Sequence, residues 1–299
     1  LRGFDMPPHP KMALMQNLLI RTLVSLFWRK PYKHKLVRWG TQLHDKFLLE
    51  HYVKEDMKDI VEFLNNEGYN FGLDWFDPFF EFRFPLYGMA TVENVHLELR
   101  AAIEPWHVLG EESGSQGTSR YVDSSLERVQ VKVNNFIPER YVLTCNSVVI
   151  PLSPTGVEGE FVAGVKYKAW QPWSALHPTI GVDTPLTFDI VDKWNERSIG
   201  GMTYYVSHPG GRTYETFPIN AGEAESRRVN RFQPFNHTQG NIEYVSSSMV
   251  QQSLQNVNGA ARAVLFKDRP NDEVFLFQEV PVSLEYPNTL DLRRKWAKQ

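Results

Sequence analysis

Val95-His96-Leu97-Glu98-Leu99-Arg100 alternates apolar and polar residues at every step. Such alternation predicts a strand with one buried face, carrying Val95, Leu97 and Leu99. Upstream, Phe80, Phe82 and Phe84 alternate with Glu81 and Arg83, and a short connection holding Gly88 joins the two runs. The pair therefore predicts a hairpin with Glu81, Arg83, Glu98 and Arg100 on one face, where cross-strand ion pairs are the commoner use of such residues and catalysis the alternative. Composition shifts near Trp75, from helical periodicity to runs of Phe, Val, Tyr and Thr.

Before that shift, Met12, Met15, Leu19, Leu23 and Leu26 recur at helical spacing until Lys30-Pro31 stops them. A second helix is expected over 41–49. A third is expected over 55–66, with Ile60, Phe63 and Leu64 buried and Gly68 at its cap. After the shift, strands are expected at 128–133, 141–145, 148–152, 159–167, 186–191 and 202–208. A short helix at 219–231, a polar loop at 237–258 and strands near 264–266 and 274–277 complete the pattern. The fold class is α+β: a short helical segment over 1–72, then a mostly antiparallel β-sandwich-like domain over 73–299. Trp170, Trp173 and Trp194 are expected in its core. Tryptophan also stacks on sugars, although core packing is its commoner use.

The 299 residues carry 32 Lys and Arg against 35 Asp and Glu, a net charge of −3. Lys and Arg are spread along the chain, so neither nucleic acid nor membrane is an expected partner. Gln16, Asn17 and Arg21 interrupt the Leu-rich run from Met12 to Trp28, which argues against a span. The single cysteine, Cys145, lies in a predicted strand, where cysteines are usually inert, and forms no disulfide within the chain. A cytoplasmic setting follows. The chain opens at Leu1 in what reads as mid-strand, so a fragment of a longer protein is expected.

Polar chemistry is densest at 208–228. His208 and Arg212 flank Pro209-Gly210-Gly211. Glu215, Asn220, Glu223, Glu225, Arg227 and Arg228 follow. Arg212 offers a bidentate fork for a carboxylate or phosphate, and Glu215 is placed to hold it. His208, Arg212, Glu215, Asn220 and Glu223 are therefore the expected substrate-binding set, with Asn220 also suited to cap the next helix. A salt-bridged surface helix accounts for the same residue types. A secondary cluster comprises Glu98, Arg100, Glu104 and His107, followed by Glu111-Glu112. No phosphate-binding loop, dinucleotide fingerprint, zinc-protease helix or nucleophile elbow is present.

Five segments together resemble a bacterial family of unknown function described as putative amidoligases. They are Leu-Arg-Gly-Phe-Asp-Met-Pro-Pro-His from Leu1, Val-Arg-Trp-Gly-Thr-Gln-Leu-His-Asp-Lys-Phe from Val37 and Phe-Glu-Phe-Arg-Phe-Pro from Phe80. The others are Leu-Glu-Leu-Arg-Ala-Ala-Ile-Glu-Pro-Trp-His-Val-Leu-Gly-Glu-Glu from Leu97 and His-Pro-Gly-Gly-Arg-Thr-Tyr-Glu-Thr-Phe-Pro-Ile-Asn-Ala from His208. The resemblance covers nearly the whole chain and is to the family's C-terminal region, often downstream of a transglutaminase-like domain. It implies ATP-dependent joining of a carboxylate to an amine through an acyl phosphate, with Mg²⁺ on the nucleotide. ATP and Mg²⁺ are expected for the full-length protein, but not tightly bound by this fragment. The expected partners are an upstream ligase core and the transglutaminase-like domain, with a peptide or small-molecule substrate. Arg2 and His9 are the residues the resemblance assigns to catalysis; metal ligands stay unassigned. Two further readings stand beside it. One is a β-sandwich binding peptide or glycan without catalysis. The other is a metal-dependent hydrolase using His and Glu.

Overall fold

The computed structural model describes residues 6–104, 125–170, 181–206, 219–239, 241–245, 274–278 and 282–294. Helix α1 (Pro10–Arg29) starts at a proline, and the ring nitrogen of His9 accepts from the Lys11 N–H at 3.2 Å. Met12, Met15 and Leu26 form its buried face. The expected helix over 41–49 is instead two 3₁₀ turns, Gly40–His44 and Lys46–Leu48, meeting at the buried Asp45. Helix α2 (Glu50–Asn66) ends at Gly68, whose φ of +89° is open to glycine at no steric cost.

The Phe80–Phe84 run is a helix, which corrects the expected strand. A 3₁₀ turn (Leu73–Phe76) leads into α3 (Asp77–Arg83), which has proline in its first turn. Phe76, Phe80 and Phe84 are buried, whereas Phe82 is exposed. A spacing of four therefore prevails over a spacing of two. These rings pack with α1 and α2 in a helical cluster that includes Leu64 and Phe71.

The hairpin is formed one element later, by β1 (Leu86–Val92) and β2 (Val95–Ala102). Then come β3 (Leu126–Asn134), β4 (Tyr141–Cys145), β5 (Val148–Val149), β6 (Ser153–Pro154), β7 (Phe161–Lys168), β8 (Leu186–Asp192) and β9 (Arg197–Tyr204). Helix α4 (Ala221–Val229) precedes β10 (Phe232–Gln233), β11 (Asn241–Val245), β12 (Val274–Gln278) and β13 (Thr289–Asp291). A last 3₁₀ turn spans Leu292–Arg294. Strand β11 lies where a polar loop was expected.

The first sheet runs β1-β2-β3-β7-β13, with β6 also on β7. The second runs β10-β9-β11-β12-β5-β4-β8, and the β8–β9 pairing closes it on itself. Most pairs are antiparallel; β13 on β7, β12 on β5 and β11 on β12 are parallel. One core fills the space between the sheets: Leu97, Leu99, Val131 and Val165 from the first meet Leu143, Cys145, Phe188 and Met202 from the second. Strict alternation puts the other side chains of β2, β3 and β7 on the face turned away from this core.

Trp194 is 73% exposed, contrary to its expected place in the core. It belongs to the β8–β9 turn, where the Arg140 guanidinium lies 4.9 Å from its ring centroid. Trp170 packs partly buried against the core, and Trp173 lies outside the described residues. Arg140 also donates to the buried Asp192 carboxylate from Nη2 at 2.8 Å and Nε at 3.2 Å. Trp194 N–H and Asn195 Nδ2 add two more donors. Arg140 first, then these two donors, outweigh burial and lower the Asp192 carboxyl to about 2. A carboxylate depressed on folding contributes stability above its unfolded pKa, about 4, and loses it as pH falls through the folded value. Asp192→Asn should therefore flatten the stability–pH curve between about pH 4 and pH 2, read by denaturant unfolding at stepped pH.

Candidate functional site

The face of the first sheet turned from the core carries charge, yet much of it is buried. In register across the sheet stand Ala102, Arg128, Lys166 and Asp291; the next row is Arg100, Gln130, Gly164 and Thr289. The Glu104 carboxylate, 1% exposed, closes the first row. Its Oε2 accepts from Arg128 Nη2 at 3.2 Å, and its Oε1 from Lys166 Nζ at 2.9 Å.

The helical part docks on this face through polar atoms. Arg128 Nη1 donates to the His44 carbonyl at 3.2 Å. Asp45 accepts from Thr289 Oγ1 at 2.5 Å, and from both Asn288 N and Nδ2 at 2.9 Å. The His51 N–H donates to Gln130 Oε1 at 2.9 Å. Burial, then Lys132, lower the His51 imidazole pKa and favour its neutral form. Gly164 permits the close approach: a Cβ there would stand 2.8 Å from Thr289 Oγ1 and 2.9 Å from Leu49 Cδ2. Arg128 Nε and Gln130 Nε2 are buried without a hydrogen-bond partner among the described residues.

The sequence-predicted residues divide as follows. Arg2, His107, His208, Arg212 and Glu215 lie outside the described residues. His9 caps α1. Asn220 caps α4, its Oδ1 accepting from Glu223 N at 2.8 Å, while Glu223 Oε2 accepts from Ile219 N at 2.6 Å. This reciprocal pair resembles a capping box. Arg100 bridges Glu98 at 2.7 Å and Glu81 at 2.8 Å, one row from the Glu104 cluster. Burial opposes its charge, but Glu81 and Glu98 more than offset that and raise its pKa.

Pairings bring the flanks of the undescribed segments to one end of the sandwich. Ala102 pairs with Arg128, Leu126 with Lys168, and Leu186 with Tyr204. Tyr87 stacks on Tyr204 across the sheets, with ring centroids 4.5 Å apart. Burial, then the neighbouring Tyr87 phenol, push the Tyr204 phenol well above its ordinary range. Thus Glu104, which precedes His107 in sequence, and Val206, which precedes His208, leave from the same end. The structure brings these flanks together; the position of the predicted cleft residues themselves lies outside its description.

Arg128, Lys166, Asn288 and Asp45 were not among the site residues expected from the sequence. Charges at outward strand positions were one available signal. A second missed group surrounds Asp189 on the outer face of β8. Its Oδ1 accepts from Ser198 Oγ at 2.8 Å and Thr238 N at 2.7 Å, and its Oδ2 from Thr238 Oγ1 at 2.8 Å. Ser198 Oγ also lies 2.9 Å from His237 Nδ1. Asp189 contacts the serine directly and stands 3.9 Å from His237 Nδ1, whereas in a nucleophile triad the carboxylate holds the histidine. This arrangement is a clasp on the strand. Among the described residues, no group of three or more His, Cys, Asp or Glu is arranged to hold a metal.

The family model described as "Putative amidoligase enzyme (DUF2126)" matches residues 1–293. The chain belongs to this amidoligase family. No curated protein and no solved structure gives a match. In this amidoligase-family chain, no helix among the described residues is long and apolar enough to cross a membrane.

The Glu104 cluster yields a direct expectation. Glu104→Gln leaves the buried Arg128 and the half-buried Lys166 facing a neutral amide and should destabilise folding by about 3–5 kcal/mol. Denaturant unfolding checks this, and a parent-like midpoint and slope would remove the cluster from the forces holding the helices down.

Proposed function

We propose that this chain is a substrate-binding, accessory part of an ATP-dependent amidoligase that joins a carboxylate to an amine. The family match across residues 1–293 carries this reading. ATP and Mg²⁺ belong, on this reading, to an upstream ligase core, with a transglutaminase-like domain as a further neighbour in a bacterial, cytoplasmic protein.

The chain's own contribution is recognition. Arg212 presents a guanidinium fork to the substrate carboxylate, Glu215 orients that fork, and His208 supplies a further polar contact. Asn220 and Glu223 fix the start of α4 at the far side of this segment. The common departure of the two predicted polar segments from one sandwich end supports placing recognition there. Arg2 and His9 remain the residues assigned toward the ligase core. His9 also caps α1, so its replacement acts on that helix as well.

Arg212→Ala in the full-length protein should lose about 2–4 kcal/mol of substrate binding if the site is dry, with an unchanged melting temperature. The assay is ATP hydrolysis dependent on added amine and carboxylate. Unchanged activity sinks the recognition role. Calorimetry on the 299-residue chain should show no tight ATP·Mg²⁺ binding; micromolar affinity would contradict the accessory assignment.

A further inference from the structure

Between Met6 and His44 the sequence holds seven Lys and Arg and no Asp or Glu, leaving 25 basic against 35 acidic residues in the rest of the chain. The even spread of charge expected from the whole composition therefore does not hold locally. Every residue from Trp28 to His44 is exposed. Within that run Trp28 is 87% exposed, Leu36 79% and Val37 66%, with Tyr32, Trp39 and Leu43 also open to solvent. Leu14, Leu18 and Val24 extend the apolar surface along the outer side of α1. Lys30 pairs with Glu67 and Arg29 meets Tyr69, but Lys33, Lys35 and Arg38 make no ion pair with a described residue.

We infer that this basic, aromatic surface binds the anionic face of a lipid bilayer. Water solvates the cations well but leaves Trp28, Leu36 and Val37 exposed. The headgroup boundary satisfies both, because aromatic and aliphatic groups enter the acyl edge while Lys and Arg reach back to phosphates. The interleaving in Lys33-His34-Lys35-Leu36-Val37-Arg38-Trp39 suits that boundary. A nucleic acid would meet the cations and aromatics and leave Leu14, Leu18, Leu36 and Val37 wet. An acidic protein surface is the other competitor, and the test separates it. With no described helix both long and apolar enough to cross, the mode is attachment to the surface.

The test is co-sedimentation of the 299-residue chain with vesicles of phosphatidylcholine, with and without phosphatidylglycerol. The chain should pellet with the anionic vesicles only, release with added salt, and show a blue-shifted Trp emission that diminishes in Trp28→Phe. Each basic residue near the surface contributes about fivefold in partitioning. The triple variant Lys33→Glu, Lys35→Glu, Arg38→Glu should thus lose more than about a hundredfold, with unchanged melting because these side chains are exposed. Leu36→Ser with Val37→Ser should weaken binding at constant charge. No pelleting with anionic vesicles overturns the inference, as does pelleting indifferent to both variants. Retention on duplex DNA or an acidic polypeptide without vesicle binding transfers the surface to that competitor and also overturns it.

Discussion

The carboxylate of Glu104, shut away from water between Arg128 and Lys166, fixes how the two parts of this molecule meet. A buried carboxylate without partners is strongly disfavoured, and two cations without it would repel. The three must therefore be desolvated together. Arg128 carries the constraint onward to the His44 carbonyl, Asp45 to Asn288 and Thr289, and Gln130 to the His51 amide. The helices thus sit on the sheet through a directional polar seam, flanked by Leu48 and Leu49, while their own apolar cluster lies to one side. Hydrogen bonds demand one register, whereas apolar surfaces tolerate several.

On the proposed reading that register bears on function, because the row of Ala102, Arg128 and Lys166 lies at the sandwich end from which the chain leaves β9 toward the proposed recognition segment. On the same proposed reading, the chain contributes to a site that distinguishes carboxylate from amine. A rigid sandwich end, tied across the sheets by the Tyr87–Tyr204 stack, is a suitable platform for such a site. The Asp189 and Asp192 clusters anchor other loops by the same device, a buried carboxylate saturated by donors.

Much of the sandwich was legible in the sequence, because Val95–Arg100, Val129–Val133 and Phe161–Tyr167 each expose one apolar face at period two. Helix α1 was legible from Met12, Met15 and Leu26. The Phe80–Phe84 run was not, because aromatics at 76, 80, 82 and 84 satisfy both periods; Asp77-Pro78 favoured the helix, as did burial of Phe76, Phe80 and Phe84 against α1 and α2. Trp194 misled because hydrophobicity alone favoured the core, while a cation–π contact with Arg140 holds it outside. The polar seam was hidden for a different reason. Asp45 and Thr289 lie 244 residues apart, and neither carries a local signal of the other. Glu104 stood out in sequence, but its partners, on two later strands, did not.

The most direct test is a double-mutant cycle in folding free energy between Asp45→Asn and Thr289→Val, measured by denaturant unfolding of the two single variants and the double. A polar seam that positions the helices predicts that the two losses fail to add, with a coupling of roughly 0.5–3 kcal/mol. Additive losses, with coupling near zero, would contradict it and leave the helical part held by apolar packing alone.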